Sequence, residues 1–287
     1  MSFVVACAQM APLKAQIEEN LNLIAELALQ AVGEGADLVV YPETAVTGYF
    51  LEGGVLELSL TAADLAARLA PKLASASKPV DLLIGFIERD SGNLYNSAAY
   101  IEASGGSAKV NTVYRKFFLP TYGVFDEERF VSRGNQVGVV DTRFGRLGIL
   151  ICEDVWHSIL PTLAAVAGAK AMLIPSASPG RGFSGESVGN LERYERMLRA
   201  VCEEHGVFCV NTQLTGFEGG KGFVGGSRIM DPFGKVLVQA PVQEQALVMA
   251  TIDLDLVDLA RSQTPLISDL QSVWPTIERL AGSIAEI

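Results

Sequence analysis

The stretch "GILICEDVW", residues 148–156, runs apolar up to Cys152 and then turns at once to Glu153 and Asp154. A short apolar run that stops on polar residues reads as a buried strand. The cysteine at its end is then the odd feature. Two neighbouring carboxylates disfavour a thiolate, so a reactive Cys152 needs a cation from elsewhere in the chain.

The same pattern recurs on both sides. "FVVACAQ" (3–9), "DLVVYPE" (37–43), "VDLLIGF" (80–86), "QVGVVDT" (136–142), "AMLIPS" (171–176) and "GVFCVNT" (206–212) read as strands. Apolar residues at helical spacing mark helices within 14–36 and near 61–77, 158–168 and 189–205. Paired strands near 96–101 and 108–114, and closing strands near 224–230, 235–240 and 246–252, look like hairpins. A short helix follows from Asp253. Strands alternating with helices imply sheets covered by helices, and the hairpins make those sheets mixed. No Pro/Ser-rich linker or charge block divides residues 1–287, which read as one domain. The glycine-rich "FEGGKGFVGGS" (217–227) is no phosphate loop, since its Gly-Lys is followed by Gly, and it reads as a mobile loop near a pocket mouth.

Composition narrows the function. Of 287 residues, 49% are hydrophobic, enough for a large core and too many for a disordered chain. The balance of 22 basic against 33 acidic residues gives −11, which argues against nucleic acid or an anionic membrane as partner. No apolar stretch approaches the ~20 residues of a membrane span. "MSFVVACAQM" lacks a basic leader and reads as a first strand, so the expected location is cytoplasmic. Cys7, Cys152, Cys202 and Cys209 show no C-x-x-C spacing; the other three read as reduced core thiols.

The candidate site residues all sit at strand ends, where open α/β sheets place their chemistry. Glu43 closes "LVVYPE", Lys116 follows "AKVNTVYRK", Cys152 closes "LGILIC", and "SASPGRG" (176–182) follows another strand. Singly, each reads as a loop, surface or core residue. Together they answer the cysteine puzzle. Cys152 would open the first turn of a helix, whose N–H groups favour a thiolate. Lys116 would supply the cation, Glu43 a base, and the Glu153 N–H an oxyanion donor. The usual histidine base is a poor fit: His157 lies five residues past Cys152, and His205 lies near a helix end. The chain also reads Leu150-Ile151-Cys152-Glu153-Asp154, with no G-x-C-x-G elbow.

"YPETAVTGY" (41–49), "YRKFFLPTYGVFDEERF" (114–130) and "ILICEDVW" (149–156) resemble the three signature segments of the nitrilase or carbon–nitrogen hydrolase superfamily. "GGSRIMDPFG" (225–234) resembles its later turn. The resemblance implies a four-layer αββα sandwich and a catalytic triad carried by Glu43, Lys116 and Cys152. It also implies a second glutamate, matched by Glu127 ahead of its neighbour Glu128. Within the superfamily the motifs are most similar to the glutaminase domain of glutamine-dependent NAD synthetases. That likeness implies a pocket lined by Tyr49, Tyr122, Phe125, Glu153, Trp156 and Ser178, with aromatic walls for an aliphatic stem and Glu153 for an ammonium.

Two departures qualify it. No Ser-Gly-Gly-x-Asp-Ser pyrophosphate loop occurs, so a free-standing hydrolase is expected. Residues 178–198 lack the usual lysine, which leaves open which of Arg181, Arg193 or Arg196, if any, takes a substrate carboxylate. The expected reaction is hydrolysis of a small primary amide through a cysteine thioester, releasing ammonia with no metal or cofactor. A nitrilase or N-carbamoyl-amide hydrolase with the same triad is the alternative. A glutaminase-like subunit or binding module dependent on a separate partner is the alternative of another class. The resemblance further implies a homodimer or higher oligomer, with residues 255–287 in subunit packing.

Overall fold

A computed structural model describes residues 1–184 and 187–284. Residues 185–186, inside the 178–198 stretch, and 285–287, the end of the tail, lie outside the described residues. Two six-stranded sheets dominate. The first holds, in spatial order, β16 (Ala246–Asp253), β1 (Ser2–Gln9), β2 (Leu38–Val40), β3 (Val80–Asp90), β4 (Asn93–Ser104) and β5 (Ser107–Arg115). The second holds β15 (Val236–Gln239), β14 (Arg228–Met230), β11 (Phe208–Gln213), β8 (Ala171–Ser176), β7 (Gly145–Ile149) and β6 (Val139–Thr142). Both are mixed, as the sequence predicts. β1, β2 and β3 pair in parallel, as do β7, β8 and β11, and the outer strands pair antiparallel.

The apolar runs decode strand by strand into two faces, because successive side chains point opposite ways. In β1, Val5 and Cys7 face a central core shared with Leu147, Ile149, Leu173, Phe208 and Val210 of the other sheet. Ala6 and Ala8 face outward onto α1 (Ile17–Gly33) and α2 (Ala62–Leu69). In β8, Ala171 and Leu173 face the central core, while Met172 and Ile174 meet α3 (Ile159–Val166) and α4 (Gly189–His205). Helices, sheet, sheet, helices: this is the four-layer αββα sandwich.

Some elements differ from the sequence reading. The helix expected over 61–77 ends at Leu69, because Pro71 has no N–H to extend it, and a 3-10 turn Pro71–Leu73 follows. The segment 217–227 is built into a hairpin, β12 (Thr215–Glu218) with β13 (Lys221–Val224). The short helix from Asp253 is α5 (Asp255–Gln263), and a 19-residue α6 (Leu266–Ile284) continues it despite Pro275. A two-residue ladder, β9 (Phe183–Ser184) and β10 (Ser187–Val188), precedes α4. Among the described residues no helix is long and apolar enough to cross a membrane.

Candidate active site

Glu43, Lys116, Cys152 and Ala177 follow β2, β5, β7 and β8, so strands of both sheets deliver them to one end of the sandwich. Glu43 reaches its place because β3 carries glycine beneath it. A Cβ on Gly85 would lie 2.3 Å from the Pro42 carbonyl oxygen and 2.7 Å from Glu43 Cα. That close approach of backbone needs a residue without a side chain.

Lys116 is the hub. Its ammonium donates to Glu43 Oε1 at 2.6 Å and to Glu127 Oε1 at 2.6 Å, with all three side chains buried. Burial opposes the ammonium, but the paired Glu127 and Glu43 outweigh it and hold Lys116 well above the ordinary lysine range. Lys116 is therefore a fixed cation at working pH. Burial pushes Glu127 up from the usual carboxylate range, with Lys116 pulling the other way. Asn96 donates to Glu43 Oε1 at 2.8 Å and to Glu127 Oε2 at 3.4 Å, and Ala177 N–H donates to Glu43 Oε2 at 2.9 Å. Both oxygens of Glu43 are thus held.

Cys152 opens a 3-10 turn, Cys152–Trp156, not a full helix, and its φ of 48° lies in the left-handed region. For a residue with a Cβ this costs roughly 1–2 kcal/mol, and it turns the sulfur out of the strand line. Burial and the Glu43 charge push the thiol well above its ordinary range, against the pull of Lys116. At rest Cys152 is a thiol. A thiol in this state would need a base beside it to act as a nucleophile.

The two acidic neighbours that made Cys152 puzzling point away into separate tasks. Asp154 accepts from Phe117 N–H (3.1 Å), Phe118 N–H (2.9 Å), Ile151 N–H (3.0 Å) and the Tyr114 hydroxyl (2.8 Å). It ties the Lys116 segment to the cysteine turn. Burial pushes its carboxyl up to about 6, so it is ionised at neutral pH. Glu153 accepts from the Tyr122 hydroxyl at 3.0 Å.

The expected pocket residues separate into two groups. Tyr122, Glu153 and Trp156 line a cleft of about 490 Å³ together with Arg181 and Arg193. Arg193 lies over the Trp156 ring at 4.4 Å and Arg181 over the Phe125 ring at 5.1 Å. Arg196 is 69% exposed beside Glu192 and takes no part. Tyr49 and Ser178 are committed internally: the Tyr49 hydroxyl bonds Glu127 and the Ser178 hydroxyl accepts from Asn190 at 2.7 Å. A second cleft, about 440 Å³, is lined by Tyr49, Asn96 and Glu127 with apolar neighbours such as Phe50, Leu51 and Val131. Glu128 is outside the cluster. His157 stacks on Phe118, and His205 is buried 3.3 Å from the Thr162 hydroxyl. Among the described residues no group of three or more His, Cys, Asp or Glu is placed to hold a metal ion.

Sequence reasoning missed Asn96, Asp154 and Tyr194, whose hydroxyl lies 3.2 Å from Cys152 Sγ. Asp154, next to Cys152, carried the one usable signal: an acidic residue inside an apolar segment must find donors.

The carbon–nitrogen hydrolase family model matches residues 4–262. The chain belongs to the carbon–nitrogen hydrolase family. The glutamine-dependent NAD(+) synthetase of Thermotoga maritima is 30% identical over 253 residues, covering 88% of this chain and 42% of the synthetase. This carbon–nitrogen hydrolase thus spans less than half the length of that relative. A probable nitrilase of Schizosaccharomyces pombe is 25% identical over 88% of this chain and 89% of its own. Among solved structures, a carbon–nitrogen hydrolase from Helicobacter pylori superposes with a TM-score of 0.80 at 24% identity, covering 94% of this chain and 95% of that one. The fold expected from the signature segments is therefore the fold observed.

Proposed function

We propose that this carbon–nitrogen hydrolase cleaves a small primary amide through a thioester on Cys152. The reading is carried by the buried cluster in which Lys116 bridges Glu43 and Glu127 beside the strained cysteine turn. Glu43 takes the Sγ proton as the sulfur attacks the amide carbon. The oxyanion is held by the Lys116 ammonium and the Glu153 N–H. Collapse breaks the C–N bond, and Glu43 gives its proton to the departing ammonia. Glu43 then takes a proton from water, whose oxygen attacks the thioester carbon. The C–S bond breaks, the acid leaves, and Glu43 returns that proton to the sulfur, restoring the thiol. Glu127 and Asn96 keep Lys116 and Glu43 in place.

The cleft of Tyr122, Glu153, Trp156, Arg181 and Arg193 supports an acyl group ending in an amino acid. Glu153 suits its ammonium, and Arg181 or Arg193 its carboxylate. Glutamine fits that description, and the synthetase relative is named for glutamine dependence. The assembly proposed with this activity is a homodimer or larger, packed through residues 255–287.

The test is ammonia release from a panel of primary amides, glutamine included. Cys152→Ala should abolish turnover while keeping the fold, and mass spectrometry with a slow substrate should find an acyl adduct on Cys152. Turnover in the alanine variant within about tenfold of the parent would sink the assignment. Comparing glutamine with 4-aminobutyramide, which lacks the carboxylate, tests the arginines. Loss of a charge-assisted pair costs roughly 1.5–3 kcal/mol, or about 10- to 150-fold. Equal use of the two would remove the carboxylate site. The nitrilase-named relative keeps one rival open, and a preference for nitriles over amides would favour it.

A further inference from the structure

Tyr194 sits on the buried face of α4 with Leu191, Leu198, Val201 and Cys202, a spacing that reads as ordinary core. Its ring packs edge-on to Trp156, centroids 5.1 Å apart, and is 1% exposed. Its hydroxyl nonetheless reaches the sulfur of Cys152 at 3.2 Å. The other ionisable groups bearing on that sulfur come from different elements: Glu43 after β2, Lys116 after β5, and Tyr49 from the loop that follows Glu43. On its own turn the sulfur has Glu153 and Asp154, both turned to other partners. Of these neighbours, Lys116 already divides its ammonium between two carboxylates.

We propose that Tyr194 is a further catalytic residue, whose hydroxyl donates a hydrogen bond to Cys152 Sγ as negative charge develops there. No proton is transferred by it. The sulfur's proton goes to Glu43, and the tyrosine O–H shortens onto the thiolate until the sulfur's charge passes to the carbonyl oxygen. A donor to an ionised acceptor is about twice as strong as a neutral pair, so the bond is worth more in the thiolate than in the resting thiol. That difference accelerates attack. Burial holds the phenol well above its ordinary range, so it keeps its proton throughout the working pH. Ser176 and Trp156 also bear on this hydroxyl; were the tyrosine placed only to fill core, its loss would change stability without touching the thiol.

The proposal rests on Cys152 as nucleophile but can be tested without substrate. The rate of Cys152 alkylation by iodoacetamide, followed by mass spectrometry from about pH 6 to 10, reports its thiolate fraction. Tyr194→Phe removes only the hydroxyl. It should slow alkylation about tenfold at each pH below the midpoint, and lower kcat/KM by a similar factor with KM unchanged. Replacing Tyr194 by 3-fluorotyrosine, a more acidic donor of nearly the same shape, should instead speed alkylation. This second substitution decides the matter if the phenylalanine variant fails to fold. Alkylation at the parent rate in the folded phenylalanine variant, or an unchanged rate with fluorotyrosine, overturns the role. Failure of the parent to hydrolyse any amide would sink the proposed reaction but leave this measurement standing.

Discussion

Lys116 decides what the site can do, because a fully buried ammonium survives only where its charge is matched. Glu43 and Glu127 match it at 2.6 Å each, two acceptors for a group with three N–H donors, and the proposed reaction gives the third to the oxyanion. Lys116→Met should therefore lose about 10²–10³ in kcat, the usual effect of removing one oxyanion donor, with two carboxylates left unpaired besides. Lys116→Arg should not rescue it. The guanidinium presents a planar fork where the cavity fits a compact point charge, and steady-state kinetics at full activity in the arginine variant would count against a shaped lysine site. At this scale the residues with unusual chemistry for their place were legible: a glutamate, a lysine and a cysteine, each ending a strand. Tyr194 and Asn96 were not, because a tyrosine on a helical core face and an asparagine in a strand look the same whether or not they touch a reacting atom.

Strands and helices were legible wherever side-chain alternation or helical spacing governed them, as in β1, β8 and α4. The hairpin β12–β13 was not, since "FEGGKGFVGG" has glycines where a strand would show alternating apolar residues. What orders it is tertiary. Glu218 is 3% exposed and its Oε2 accepts from Tyr49 N–H at 2.8 Å and Phe50 N–H at 2.9 Å, while Phe223 stacks on Phe50. The hairpin thereby clamps the loop whose Tyr49 hydroxyl bonds Glu127. Glu218→Ala leaves two backbone donors without that acceptor, so a loss of about 2–4 kcal/mol in urea unfolding is expected, with lower kcat. Glu218→Gln should keep the clamp, because one carbonyl oxygen can take both bonds. Burial raises the Glu218 carboxyl, so its contribution to stability is fully present below the ordinary glutamate range and is lost as pH rises through the raised value. The glutamine variant should thus be the more stable protein at neutral pH, and the gap should close on acidification. A gap that widens in acid would mean the carboxylate is favoured by its site.

At the scale of the whole molecule the acidic charge of −11 keeps random contacts weak, so an apolar surface must be explained by a specific partner. Helix α6 carries such a surface. Leu266, Leu270, Val273, Ile277, Leu280 and Ile284 are spaced by four, three, four, three and four residues, the a/d stripe of a helix that packs against another helix. Leu266, Val273, Leu280 and Ile284 are 43%, 47%, 53% and 69% exposed, Leu270 and Ile277 are half-buried, and Ile267 is the residue of the helix buried against the body. The spacing reads the same in both directions, with its middle between Val273 and Ile277. A two-fold axis there would set Leu266 opposite Ile284, Leu270 opposite Leu280 and Val273 opposite Ile277, a self-complementary patch of the kind a symmetric dimer requires. A second copy is therefore the expected occupant. Light scattering at micromolar concentration should give a dimer, and Val273→Glu with Leu280→Glu should give a monomer with the parent's far-ultraviolet spectrum. A parent protein that scatters as a clean monomer would show that α6 is made for some other surface.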